Sequence, residues 1–155
     1  MCIRDRYTYD MISDAYYDGR TICIFRLSDV ILCKAEIENN LNGPAAALPY
    51  LNQIRARAGA PEYGKHNRFP APSTKEAMND AILKERGYEL VFEFQRRADL
   101  IRFGKYEEVV NAHLKKLGIA QPTNVTSSLR YFPYPLNDAQ LNPNLAAENP
   151  SRLPK

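Results

Sequence analysis

The chain has 155 residues and a formal net charge of +3, the size of one ordinary domain or of a piece of a larger protein. That excess is small and scattered with no Lys/Arg block, which excludes a nucleic-acid partner, while 45% hydrophobic and 25% charged residues exclude wholesale disorder. No apolar run approaches the roughly 18 residues of a membrane span, Met1 to Arg20 has no apolar signal core, and two histidines with three scattered cysteines give no footing for a metal or cofactor.

Met1 to Arg6 carries no periodicity and reads as an extraneous start joined to an interior segment. Residues 7 to 20, rich in Tyr and Asp, read as loop, and Thr21 to Phe25 as a short extended run leading into a helix. Cys2, Cys23 and Cys33 show no CxxC spacing, so no disulfide framework is implied. A Cys23–Cys33 bridge stays open as the alternative to Cys33 as a small buried hydrophobe.

The first helix is expected from Leu27 to about Leu41. Leu27, Val30, Ile31, Ile37 and Leu41 share one side, and Leu32 with Ala35 occupies another, which predicts a helix sandwiched between neighbours. Asn42-Gly43-Pro44 ends it and starts a second helix running to about Ala58, with Ala47, Leu48, Leu51, Ile54 and Ala58 on one face. Pro49 would cost roughly 3 kcal/mol in a helix interior, so the helix either starts near it or kinks there. Together the two make a helical hairpin over 26–59.

Pro61 to Pro72 reads as an ordered surface connection. Ser73-Thr74-Lys75-Glu76 matches a capping box in which Ser73 and Glu76 satisfy each other's backbone donors. A third helix is predicted from Thr74 to about Phe94, a short one from Arg97 to Phe103, and another from Tyr106 to Leu117, giving a helical segment over 73–118. Over 119–155 the chain is rich in Pro and Asn. Six prolines between Gln121 and Lys155 exclude regular helix there, leaving an irregular tail anchored by Tyr131, Phe132, Tyr134 and Leu136. The fold class is therefore all-α.

Chemistry concentrates on the third helix. Ala77, Met78, Ala81, Ile82, Tyr88 and Phe92 define an apolar arc; Glu85 and Glu89 fall inside it and Glu93 at its margin. Carboxylates spaced four apart on a helix repel one another, and burying them unpaired costs several kcal/mol each. Arg26, Arg55, Arg57, Arg96, Arg97 and Arg102 are the available cations. The bland reading is an Arg–Glu network locking this helix to the hairpin. The sharp one is a glycosidase pair, since side chains four apart on a helix lie about 5–6 Å apart, close to the separation in retaining enzymes. Ten Tyr and six Phe are candidate stacking platforms, with Tyr7, Tyr9, Tyr16 and Tyr17 crowding the first loop, but packing accounts for each as well. His66 and His113 have no companion nucleophile and read as surface polar residues. Asn124-Val125-Thr126 fits a glycosylation sequon, a match that is cheap by chance.

Five pieces in order resemble the carboxy-terminal part of the SusD/RagB family. They are Arg26-Leu27-Ser28-Asp29-Val30-Ile31-Leu32 with Ala35-Glu36; Leu51-Asn52-Gln53-Ile54-Arg55-Ala56-Arg57-Ala58-Gly59; and Ile82-Leu83-Lys84-Glu85-Arg86 through Glu89-Leu90-Val91-Phe92-Glu93. Arg97-Ala98-Asp99-Leu100-Ile101-Arg102 follows, and the ending combines Phe132-Pro133-Tyr134-Pro135, Asn142-Pro143-Asn144-Leu145 and Glu148-Asn149-Pro150. Phe94, where the family usually has Gly, Ala98, where an aromatic is common, and Pro49 depart from the pattern.

The resemblance implies a tetratricopeptide-like helical scaffold, with 26–59 as such a hairpin, and a lipid-anchored, non-catalytic oligosaccharide-binding protein of the outer membrane. It also implies a SusC-like TonB-dependent transporter as partner. Complete members are longer, so this chain would be a single incomplete domain lacking signal, lipidated cysteine and amino-terminal half. It should then expose an apolar patch. Glycan contacts in the family lie mostly outside this region, so the resemblance assigns no glycan-binding, catalytic or metal residue. Two alternatives stand beside it: a tetratricopeptide-type interaction module, which needs more hairpins than the one visible, and a glycosidase using Glu85 and Glu89, which needs both carboxylates open to solvent rather than clamped by Arg.

Overall fold

A computed structural model of the chain describes residues 24–118, 125–126, 130–132, 134–142 and 144. Among the described residues there are six helices: α1 (Leu27–Asn42), α2 (Pro44–Arg57), α3 (Lys75–Glu89), α4 (Arg96–Arg102), α5 (Tyr106–Lys116) and α6 (Leu136–Leu141). None of the described residues forms a strand, and a lone bridge joins His66 to Phe69, so the class is all-α. The chain divides between Asp99 and Leu100 into two compact units.

The first unit is built on the α1–α2 hairpin. Gly43 makes the turn at φ 90 and ψ 175, a conformation essentially restricted to glycine, and Pro44 then occupies the first turn of α2, where its missing N–H costs nothing. Ser28, Leu32, Ala35 and Asn39 of α1, Ala47, Leu51 and Ile54 of α2, and Met78, Ile82 and Leu83 of α3 are buried. The second unit is tied by side chains. Asn111 accepts from the Val125 amide at 2.7 Å and donates to the Val125 carbonyl at 3.0 Å, and Arg130 pairs with Glu107 at 2.6 Å.

The structure corrects several expectations. α1 is buried on one side only: Leu27, Val30, Ile37 and Leu41 face solvent and form an exposed apolar stripe. Of the two alternatives left open at Pro49, a late start is ruled out: α2 begins at Pro44 and runs through Pro49. Pro49 and Ala45, whose carbonyl loses its helical partner, are both exposed, so water can take that carbonyl. The cap of α3 is Thr74, not Ser73: its hydroxyl accepts from Ala77 N at 3.1 Å, and the capping box with Glu76 does not form.

α3 also ends five residues early, at Glu89. Phe92 and Phe94 adopt φ 62 and 61, and these left-handed residues turn Leu90 and Glu93 inward while their own rings stay exposed. Ala77 and Tyr88 are likewise exposed rather than part of a buried arc. In the tail, α6 is a regular helix where none was expected. It fits between Pro135 at its N-cap and Pro143 beyond its end, positions that proline tolerates. Tyr131, Phe132 and Leu136 are exposed, so they are not buried anchors. Cys2, Cys23, Asn124 and the four loop tyrosines lie outside the described residues.

Candidate functional site

The buried polar side chains of the first unit gather around α3. Glu85 and Glu89 stand one turn apart on it, and Glu93 follows after the helix has ended. Each is claimed by a guanidinium from another element. Arg55, near the end of α2, pairs with Glu85, both side chains being buried. Arg26, at the N-cap of α1, pairs with Glu89 and reaches both oxygens of Glu93 at 2.9 Å. Arg57 holds the two Glu89 oxygens at 2.6 and 2.7 Å from a half-exposed position. Arg26 also donates to the Glu89 backbone carbonyl, satisfying one of the acceptors that a helix end leaves open.

Arg55 is enclosed on every side. Its Nε donates to the Pro61 carbonyl at 2.5 Å, and its guanidinium carbon lies 4.6 Å from the Tyr63 ring centroid and 4.5 Å from that of Phe69. The two rings meet edge-on at 5.8 Å, so the Pro-rich connection after α2 is ordered by wrapping this cation. Asn52 fastens it, accepting from Tyr63 N at 2.8 Å and donating to Tyr63 O at 3.0 Å. Burial pushes the Tyr63 hydroxyl above its usual pKa, and the Glu85 charge adds to this.

The two carboxylates titrate in opposite directions. Burial pushes Glu85 up by more than the Arg55 charge and hydrogen bond pull it down. Burial also acts upward on Glu89, but hydrogen bonds from Arg26 and Ser28 and the charges of Arg26 and Arg57 hold it below the usual carboxylate range. A raised acid beside a lowered one is what a glycosidase needs. Here, however, both side chains are buried and each is occupied by arginine, which is the arrangement that disfavours that reading.

A second buried cluster escaped the sequence reading. Arg86 of α3 meets Asp29 of α1 at 2.7 Å and Asp99 of α4 at 2.8 Å, and its Nη1 lies 3.5 Å from the sulfur of half-buried Cys33. Burial opposes the Arg86 charge, but the hydrogen bonds and charges of Asp99 and Asp29 outweigh it and raise its pKa. The available signal was position: Arg86 lies four residues after Ile82 on the buried line of α3.

The remaining candidates disperse. Arg96 donates to the Leu83 carbonyl at 2.7 Å, and Arg102 lies 4.7 Å over the Phe103 ring. His66 is exposed and accepts from Arg68 N at 3.2 Å, and His113 is exposed on α5. Among the described residues no three His, Cys, Asp or Glu side chains are grouped to hold a metal ion. Pro49, Asn52 and Gln53 of α2 and Glu62 and Lys65 of the connection border an open groove of about 430 Å³, with Lys65 and Glu62 paired at 2.8 Å.

Comparison with known proteins gives these features a frame. The model of the SusD family matches residues 3–151. "SusD-like protein P25" of Formosa agariphila is 39% identical over 120 residues, 77% of this chain and 22% of its own length. "SusD-like protein P38" of the same organism is 37% identical over 95 residues, 60% of this chain and 19% of its own length. "Starch-binding protein SusD" of Bacteroides thetaiotaomicron is 28% identical over 137 residues, 87% of this chain and 22% of its own length. The chain thus spans about a fifth of the length of these relatives. No solved structure matches.

Proposed function

The chain belongs to the SusD family, and on that premise we propose that the protein it forms part of binds oligosaccharide at the outer membrane and delivers it, chemically unaltered, to a SusC-like TonB-dependent transporter. The family match over residues 3–151 carries this reading, and the starch-binding relative names one substrate class for it. The occupation of Glu85 and Glu89 by Arg55, Arg26 and Arg57 supports a binding role over a hydrolytic one. In this reading the chain is the carboxy-terminal segment of one domain, with 26–59 as a tetratricopeptide-like hairpin, 73–118 as its helical continuation and 119–155 as the tail. A lipid anchor elsewhere in the polypeptide would hold it at the cell surface; no described helix is long and apolar enough to cross a membrane.

Affinity electrophoresis of the complete polypeptide in gels containing starch or other polysaccharides tests the proposal, with reducing-end analysis of the same mixtures. Retardation by at least one glycan with no new reducing ends is expected. Mobility unchanged by every glycan, or release of reducing ends, would overturn it.

A further inference from the structure

Asn42 is the only asparagine of the chain followed by glycine, and the pair forms the turn that joins α1 to α2. Asn42 is exposed, and Gly43, at φ 90 and ψ 175, has nothing within 4 Å of the place a Cβ would occupy. With no side chain of its own and no neighbour there, Gly43 leaves its nitrogen open to the carboxamide that precedes it. Every other asparagine of the chain precedes a residue whose Cβ crowds that approach.

Two hydrogen bonds keep the nitrogen and the carboxamide apart. Gly43 N donates to the Asn39 carbonyl at 3.2 Å, which holds Asn42 in the last turn of the helix. Asn42 Nδ2 donates to Glu38 Oε2 at 2.6 Å, which draws the carboxamide back along α1 and away from Gly43. Both bonds lie at an exposed helix end, where fraying opens them without unfolding the rest of the hairpin.

We propose that Asn42 is a site of spontaneous modification, converted to a mixture of aspartate and isoaspartate at a rate that Glu38 restrains. The Gly43 nitrogen, giving its proton to solvent base, bonds to Asn42 Cγ. The Cγ–Nδ2 bond breaks, releasing ammonia and leaving a five-membered succinimide. Water then adds to one of the two ring carbonyls. Breaking the bond between Gly43 N and Cγ gives aspartate; breaking the bond between Gly43 N and the Asn42 backbone carbonyl carbon gives isoaspartate. The net change is one water taken up and one ammonia released. Either product places a carboxylate one turn from Glu38 and at the negative end of the α1 dipole, whose own last turn holds no basic residue. Isoaspartate also adds one backbone carbon to the turn, so α1 and α2 no longer meet in the same register and the hairpin loosens.

The test incubates the complete polypeptide and its Glu38→Ala variant at mildly alkaline pH and follows peptides by mass spectrometry, with fragmentation that separates aspartate from isoaspartate. Acid is expected to accumulate at position 42 faster than at Asn39, Asn40 and Asn52, with isoaspartate among the products. Glu38→Ala should react about threefold faster or more, the range that one net hydrogen bond spans. In urea the two forms should react at equal rates, because the bond to Glu38 is not made there. Reaction at position 42 no faster than at those other asparagines, or aspartate without isoaspartate, would overturn the site. A folded Glu38→Ala rate equal to or below wild type, or unequal rates in urea, would overturn the restraint.

Discussion

Arg86 and Asp99 form an ion pair at 2.8 Å in which both side chains are almost wholly buried, and the same guanidinium reaches Asp29 at 2.7 Å. One cation on α3 therefore joins the first turn of α1 to α4. Removing it leaves two carboxylates in a poorly hydrated site with nothing to neutralise them. Arg86→Met is expected to cost about 3–5 kcal/mol, measured by urea denaturation. Adding Asp99→Leu to that variant should recover part of the loss, with a coupling of about 1 kcal/mol or more. Strictly additive losses would mean that the pair does not act as a unit.

The opposite shifts of Glu85 and Glu89 give stability an acid dependence with two signs. Glu89 is held below its usual pKa, so the unfolded chain takes up that proton first. Its contribution is present above about pH 4.3 and is lost as the pH falls through the folded value. Glu85 is raised, so its contribution is present below about pH 4.3 and is lost as the pH rises through its folded value. Glu89→Gln should therefore flatten the fall in unfolding free energy between about pH 5 and 3, and Glu85→Gln should steepen it. Titration curves of the two variants parallel to wild type would contradict these assignments.

Asn52 both accepts from and donates to the Tyr63 backbone. Its loss strands a buried N–H and a buried carbonyl, so Asn52→Ala is expected to destabilise by about 2–4 kcal/mol. Hydrogen exchange of the Tyr63 amide should accelerate in the same variant. Protection equal to wild type would show that another group or a water replaces the bond.

Phe94 occupies a left-handed conformation at φ 61 with its side chain 89% exposed. The backbone strain there is about 1–2 kcal/mol for a residue with a Cβ, and little ring burial offsets it. Glycine relieves the strain and loses some of the gain to greater freedom in the unfolded chain. Phe94→Gly should stabilise by about 0.5–1 kcal/mol in thermal or urea unfolding. A destabilised variant would assign the exposed ring a packing role.

Much of the helical framework was legible because it is local. Hydrophobic period, the Asn42-Gly43-Pro44 turn and the Gly104 and Gly118 stops act within a few residues, and α1, α2, α4 and α5 fall within a residue or two of their expected limits. The need for cationic partners at Glu85 and Glu89 was also readable, because a carboxylate on an apolar arc is too costly unpaired wherever the chain goes. The SusD family signature was carried by short motifs in order.

What the tertiary structure alone decided was every choice between locally equivalent options. Periodicity marked two apolar sides on α1, but only the arrival of α2 and α3 settled that Leu32 is buried while Leu27 and Leu41 are not. Six arginines were candidates for three glutamates, and only the path of the chain shows that Arg26, Arg55 and Arg57 reach them. Arg86 lies on the buried line of α3, but only the packed fold brought Asp29 and Asp99 to it from elements far apart in sequence. Local sequence sets which backbone conformations are cheap; burial and charge pairing depend on which distant groups meet, and that is decided only by the packed fold.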